Sequence, residues 1–265
     1  MAFADLRATR WSELGYTVAY SVANIAATMN RRYENQMVRE AGQVIKIAKF
    51  NPDDLTVRTW SATTSDTEYG DVVSVTIDQD KSVVYELPDL DPVQIPVDIA
   101  ANVVEGMGRK LGRAMDAHVI ATISGSNLGE MAITSLDTLI NARKSLADNG
   151  YNDDDIWFYA SPTQYAALLK DEDFQRASTA NRSDFVESGV IYRAAGVNVV
   201  EQSVDANSGV MFNVRAVGFI AQRSVEFKAS DIFGGTAKFG TRFGAKALYK
   251  AFVLDSNGCI LVNNV

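Results

Sequence analysis

Among 265 residues there is one cysteine, Cys259, and one histidine, His118. A single cysteine excludes an intrachain disulfide and a zinc site built on cysteines. A single histidine excludes the paired-histidine helix of a metalloprotease and any His-rich metal site. Proline is scarce, with five residues, and no Pro- or Ser-rich tract marks a disordered linker. Positive charge is also in short supply. Lys and Arg number 25 against 33 Asp and Glu, for a formal charge of −8. That balance argues against general nucleic-acid binding, which needs excess cations to replace the counterions around phosphates. Long apolar runs are missing too. The stretch from Thr17 to Met29 is broken by Ser21, Asn24 and Thr28 and is too short to span a bilayer. Asp5 and Glu13 sit in the wrong place for a signal peptide, so a reducing, cytosolic site of synthesis is expected.

What is present has the balance of a soluble globular chain, long enough for one elongated domain or two compact ones. Leu14, Val18, Val22, Ile25, Met29 and Tyr33 recur at spacings of three and four, which predicts a helix ending by Gly42. The pattern then turns to strands: Val44–Phe50, Leu55–Trp60, Val72–Ile77 and Ser82–Leu87 are β-branched, aromatic or alternating. Between Trp60 and Val72 lies the polar tract SATTSDTEYGD, which has almost nothing to bury. A ribbon with such a tip is marginal alone and must lean on something else.

A long helix follows, from Val97 to about Ser124, with Asp91-Pro92 or Pro96 as its start. At about 1.5 Å per residue it would run about 40 Å. Val104, Met107, Leu111, Ala114, Met115 and His118 form its apolar stripe. A second helix is predicted from a Thr134 or Ser135 cap to Asn149-Gly150. Ile156–Ala160 reads as a buried strand, and Ser161-Pro162 caps the next helix. Gly189–Gln202 reads as strand, glycine turn and strand. From Val210 onward the chain is mostly strand, bent at glycines.

Tests for chemistry return little. Gly106, Gly108 and Gly112 lie in mid-helix, whereas a dinucleotide fingerprint needs its glycines at a strand tip opening a helix. Close helix packing explains them instead. His118 lies on the apolar stripe, where a histidine is expected to be a hydrogen-bonded core residue, and no Gly-x-Ser-x-Gly elbow accompanies it. The runs Asp153-Asp154-Asp155 and Asp171-Glu172-Asp173 lack the alternation of a calcium loop and read as solvated turns and helix ends. Arg109, Lys110 and Arg113 fall on the polar side of the long helix, as a partner-facing patch or a solvated face. No catalytic, cofactor-binding or metal-binding residue is assigned.

The order of parts resembles the major capsid proteins of tailed bacteriophages, a fold shared with encapsulin shell proteins. Several stretches carry the resemblance. NRRYENQMVREAGQVIKI, residues 30–47, looks like the passage from an N-terminal arm into an extended loop. VVYELPDLDPVQIPVDIAANVVEGMGRKLGRAMDAHVIATI is similar to the end of that loop and a spine helix, with Asp116 where such helices often carry an aspartate. IWFYASPTQYAALLKDEDFQRA and SGVIYRAAGVNVVEQSV resemble the axial domain, and KFGTRFGAKALYKAFVLDSNGCILV the closing strands of the peripheral domain. The resemblance implies an α+β fold with four parts. These are an N-terminal arm and helix (1–42), an extended β-ribbon loop (43–90), a peripheral domain carrying the spine helix (91–133 and 203–265) and an α/β axial domain (134–202).

By the same resemblance the function is that of a structural subunit, not an enzyme. It would assemble into pentamers and hexamers of an icosahedral shell around double-stranded DNA, located in the virion after assembly in the host cytoplasm. The alternative is an encapsulin-like compartment enclosing enzyme cargo; a two-domain α/β enzyme fits least, for want of catalytic groups. Expected partners are other copies of the chain, a separate scaffolding protein, portal and decoration proteins, and packaged DNA held weakly without sequence specificity. No membrane and no cofactor are expected. Trp60, Glu68, Tyr69, Arg109 and Arg113 are the candidate intersubunit contacts.

Overall fold

The computed structural model describes residues 24–32, 42–48, 72–88, 99–152, 155–172, 193–202, 204–205, 207–221, 226–233 and 239–263. Its dominant element is helix α2, Ile99–Gly125, preceded by a short α1, Asn24–Thr28. Val104, Met107, Leu111, Met115, Val119 and Ile123 are buried along one side of α2, the i, i+3, i+4 stripe that its sequence carries. Gly108 and Gly112 lie on the packed side, while Gly106 is exposed with open space beside it, so close packing accounts for only two of the three.

A six-stranded sheet is the second large element. Its strands are β4 (Glu130–Met131), β5 (Ile156–Ala160), β6 (Arg193–Ala194), β7 (Val197–Glu201), β8 (Ser208–Asn213) and β12 (Cys259–Asn263), in the order β4-β12-β8-β5-β7-β6. Both faces are covered, so its central strands read as unbroken apolar runs. Phe158, Val199, Met211 and Ile260 pack against α3 (Leu136–Asp148) and α4 (Pro162–Lys170). Tyr159, Val210, Phe212, Cys259 and Leu261 point the other way, into a core shared with α2. The sheet takes strands from both sides of position 202, where the resemblance implied a boundary between axial and peripheral parts.

Local chemistry sets the element ends. Ser135 and Ser161 cap α3 and α4 with reciprocal boxes, closed by Thr138 and Gln164. The buried Gln164 also donates to Val262 O at 3.0 Å, fastening α4 to β12. Asp171, read from sequence as a solvated helix end, instead accepts from Leu136 N at 2.6 Å and joins the end of α4 to the start of α3. β6 and β7 are joined by Ala195-Gly196, with φ of 49° and 79°. Left-handed conformations at both central residues make the tight hairpin turn, which glycine tolerates freely and alanine does not.

A four-stranded sheet packs on α2: β3 (Gln79–Pro88), β9 (Val217–Ala221), β10 (Glu226–Phe233) and the 15-residue β11 (Phe239–Val253). β11 pairs with β3 along Gly240–Tyr249 and with β9 along Tyr249–Val253. Phe243, Ala245, Ala247, Tyr249 and Ala251 face the helix, and the three alanines let sheet and helix approach closely between the two aromatic rings. α1 sits on the same core. The helix expected to run on toward Tyr33 stops at Thr28, because Asn30 N donates to Val217 O at 3.2 Å and Asn30 O accepts from Phe219 N at 3.1 Å. Backbone groups committed to a strand are lost to a helix. The expected helix before Asn24 and the expected strand Leu55–Trp60 lie outside the described residues.

Candidate assembly surface

The β-ribbon begins as an antiparallel pair, β1 (Val44–Ala48) with β2 (Val72–Thr76), in register from Val44↔Thr76 to Ala48↔Val72. Alternation gives it two unlike faces. Ile45, Ile47, Val75 and Ile77 are buried against Ile220 and Phe252 of the body. Val44, Lys46, Val72, Ser74 and Thr76 face solvent, with Val44 52% and Val72 60% exposed. The root of the ribbon therefore leans on its own subunit with one face and presents the other. Its tip, with Trp60, Glu68 and Tyr69, lies outside the described residues.

Arg109 and Arg113 are both exposed on α2, opposite its buried stripe, so the structure brings these two candidates together on one helix face. Arg109 forms an i, i+4 ion pair with Glu105. Such exposed pairs contribute about 0–1 kcal/mol each. A longer row of charge went unseen in the sequence, on the outward face of β3 and β11. There Arg242 pairs with Glu86 (Nε to Oε1, 2.9 Å), Lys246 with Asp80 at 3.0 Å, and Lys250 with Asp78 at 2.6 Å. The basic residues lie on β11 and the acidic ones on β3 or, for Asp78, just before it, two segments separated by more than 150 positions. Burial acts to raise the Asp78 pKa, but the hydrogen bonds from Lys250 and Gln79 together outweigh it and hold the carboxyl below its usual value.

Two residues of the long helix have distinct roles. Asp116 is buried and accepts the Ala26 backbone N–H at 3.0 Å, pinning α1 to the spine. Thr28 adds a 2.8 Å contact between its hydroxyl and that of Tyr159. His118 is half-buried, its ring set edge-on to Tyr249 with centroids 5.7 Å apart. The expected hydrogen bond is absent at Nε2, which is buried without a partner, as is the Tyr249 hydroxyl. Burial first, then the nearby Lys250, lowers the His118 pKa and keeps the ring neutral. Tyr249 is pushed up to about 12 by burial alone.

Cys259 is buried and donates to Ser126 O at 3.2 Å. Burial and the charge of Asp255 push its thiol up to about 12, so it behaves as an inert core residue. Among the described residues no group of three or more His, Cys, Asp or Glu is placed to hold a metal ion, and no helix is long and apolar enough to cross a membrane.

Neither a family model nor a curated protein matches the sequence significantly. Solved structures do match its fold. A chain of Mycobacterium phage Che8 superposes with a TM-score of 0.68 at 19% identity, covering 91% of this chain and 90% of that one. The capsid of the cyanophage P-SCSP1u gives 0.62 at 15% identity, with 90% and 86% covered. A virus-like particle from Pyrococcus furiosus gives 0.56 at 12% identity, with 96% and 99% covered. Matches of this extent at such low identity are matches of architecture. The chain has the α+β fold of phage major capsid proteins, as the resemblance implied.

Proposed function

We propose that the chain is the structural subunit of an icosahedral phage capsid, assembling through pentamers and hexamers into a shell around double-stranded DNA. The observation that carries this reading is the end-to-end match to a phage chain, 91% of this chain against 90% of that one. A match that consumes both chains leaves little sequence for a catalytic insertion. In this reading the four parts are the arm (1–42), the ribbon (43–90), the peripheral domain (91–133 and 203–265) and the axial domain (134–202). The mechanism is mechanical. A stiff helix and a six-stranded sheet covered on both faces hold each subunit's shape, while the ribbon and exposed strand faces make many weak contacts with neighbours. Closure of rings multiplies those contacts, so that none of them has to be strong.

Trp60, Glu68 and Tyr69 at the ribbon tip, with Arg109 and Arg113 on the spine, are the proposed contacts between subunits. The charge of −8 suits a wall that encloses DNA without gripping it. A separate scaffolding protein, a portal and decoration proteins complete the set of proposed partners, and the virion is the proposed location. The alternative reading is an encapsulin-like compartment of the same fold enclosing enzyme cargo.

Electron microscopy of the expressed protein, with its scaffold where one is needed, tests the proposal. Rings of five and six and closed shells are expected. A monomer under every assembly condition would overturn both readings. Nuclease-resistant DNA inside the particles would select the capsid, and protein cargo the compartment.

A further inference from the structure

The outward face of the β3–β11 pair has a shape as well as a charge pattern. In the register of this pair Glu86 stands opposite Arg242, Val84 opposite Gly244, and Ser82 opposite Lys246. Gly244 has no side chain with which to cover Val84, and Val84 is 60% exposed. The Arg242–Glu86 ion pair borders this spot at one end and the Lys246–Asp80 pair at the other. The result is an apolar spot at Val84 between two ion pairs, a shallow notch on a strand at the end of the β10-β11-β3 order, with Lys228 of β10 opposite Gly244 on its other side.

We propose that this notch is a contact between copies of the chain, a proposal that rests on the shell reading and gives it an address. Charge selects the occupant. Two copies that each carry −8 repel one another over most approaches. In the two ion pairs that border the notch, however, acids and bases are equal in number, with the acids on β3 and the bases on β11. A neighbour presenting both signs can meet such a face without net repulsion, its acids to Arg242 and Lys246 and its bases to Glu86 and Asp80. Nucleic acid fits poorly, since the acids on β3 would oppose its phosphates. An apolar side chain of the second copy fills the space over Gly244 beside Val84 and excludes water from the flanking pairs.

Two variants test this, each followed by light scattering across a concentration series for every oligomer from dimer to shell. Val84→Asp places a charge in the notch. The double exchange Asp80→Lys with Lys246→Asp keeps the internal ion pair but inverts the pattern shown to a neighbour. Both are expected to leave the melting temperature of the free subunit within about 2 °C of the original, as surface changes do, and to raise the concentration needed for association at least tenfold. Association at the wild-type concentration in both variants would overturn the contact. If the double exchange melts early, Val84→Asp alone decides. Wild-type oligomers that never close into shells, yet are lost in Val84→Asp, would retain the contact and remove the shell; a wild type with no oligomer at all removes both.

Discussion

Valine and isoleucine do different work in the six-stranded sheet and in the ribbon root. In β8 and β12 the run Val210-Met211-Phe212 and the run Ile260-Leu261-Val262 are buried residue after residue, because helices cover both faces of the sheet. In β1 and β2, Ile45, Ile47 and Val75 are buried while Val44 and Val72 stand in solvent. Full coverage makes a strand contribute stability to its own subunit. Half coverage leaves apolar surface unspent, and repeated along a ribbon it is surface available to another chain. β3 belongs with the ribbon in this respect, since Val84 and Tyr85 are both largely exposed while its partner β11 buries a full face on the spine.

Energetics should separate the two regions most clearly at the spine. Leu111→Ala opens a cavity under β11 and should cost about 2–5 kcal/mol, measured by urea denaturation of the free subunit. Val72→Ala, on the outward face of the ribbon, should stay within about 0.5 kcal/mol. Equal losses would mean that the ribbon root is part of the folding core, like the spine.

A middle-sized effect is expected where α1 meets the spine. Asp116→Ala leaves the Ala26 N–H buried without its acceptor, at a cost of about 1–3 kcal/mol. Asp116→Asn keeps an acceptor oxygen and should lose less. Hydrogen exchange at Ala26 reads the same event directly: faster exchange in the alanine variant, with the six-stranded sheet unaffected, would place the loss at the arm. Uniformly faster exchange would instead make Asp116 a determinant of the whole core.

His118 should give the smallest change and the sharpest pH signature. Its ring is neutral in the folded subunit, and its pKa is lowered mainly by burial. The unfolded chain takes up this proton at about pH 6.5, so it binds more protons than the folded chain as the pH falls below that value. This contribution to stability is therefore complete above about pH 6.5 and lost as the pH drops toward the lowered folded pKa. His118→Gln should remove that step while costing no more than about 1–2 kcal/mol at neutral pH. Thermal melts at several pH values between neutral and mildly acidic would show it, and an identical profile in the variant would assign the dependence to other groups.

Much of the frame was legible because it is local. The spacing of Val104, Met107, Leu111 and Met115 marked the buried side of a helix that runs Ile99–Gly125. Ser135 and Ser161 marked two helix starts, and Ile156–Ala160 a covered strand, each through chemistry completed within a few residues. The site was less legible. Nothing near Asp116 indicates that its carboxylate meets Ala26, 90 positions away. His118 was expected to find a hydrogen-bond partner, yet the residue packed against it is the ring of Tyr249.

Short-range pattern was enough to place most of the described helices and strands and their apolar sides, and composition to exclude an intrachain disulfide and a zinc site built on cysteines or paired histidines. Periodicity, capping and composition are properties of neighbouring residues, and they survive without knowledge of what packs on what. Only the tertiary structure decided that strands from both sides of position 202 share one sheet, that the ribbon root rests on Ile220 and Phe252, and that Glu86, Asp80 and Asp78 line up with Arg242, Lys246 and Lys250. Those are pairings between distant segments. Strand register selects them, and register is settled by burial summed over whole faces rather than by any residue within reach along the chain.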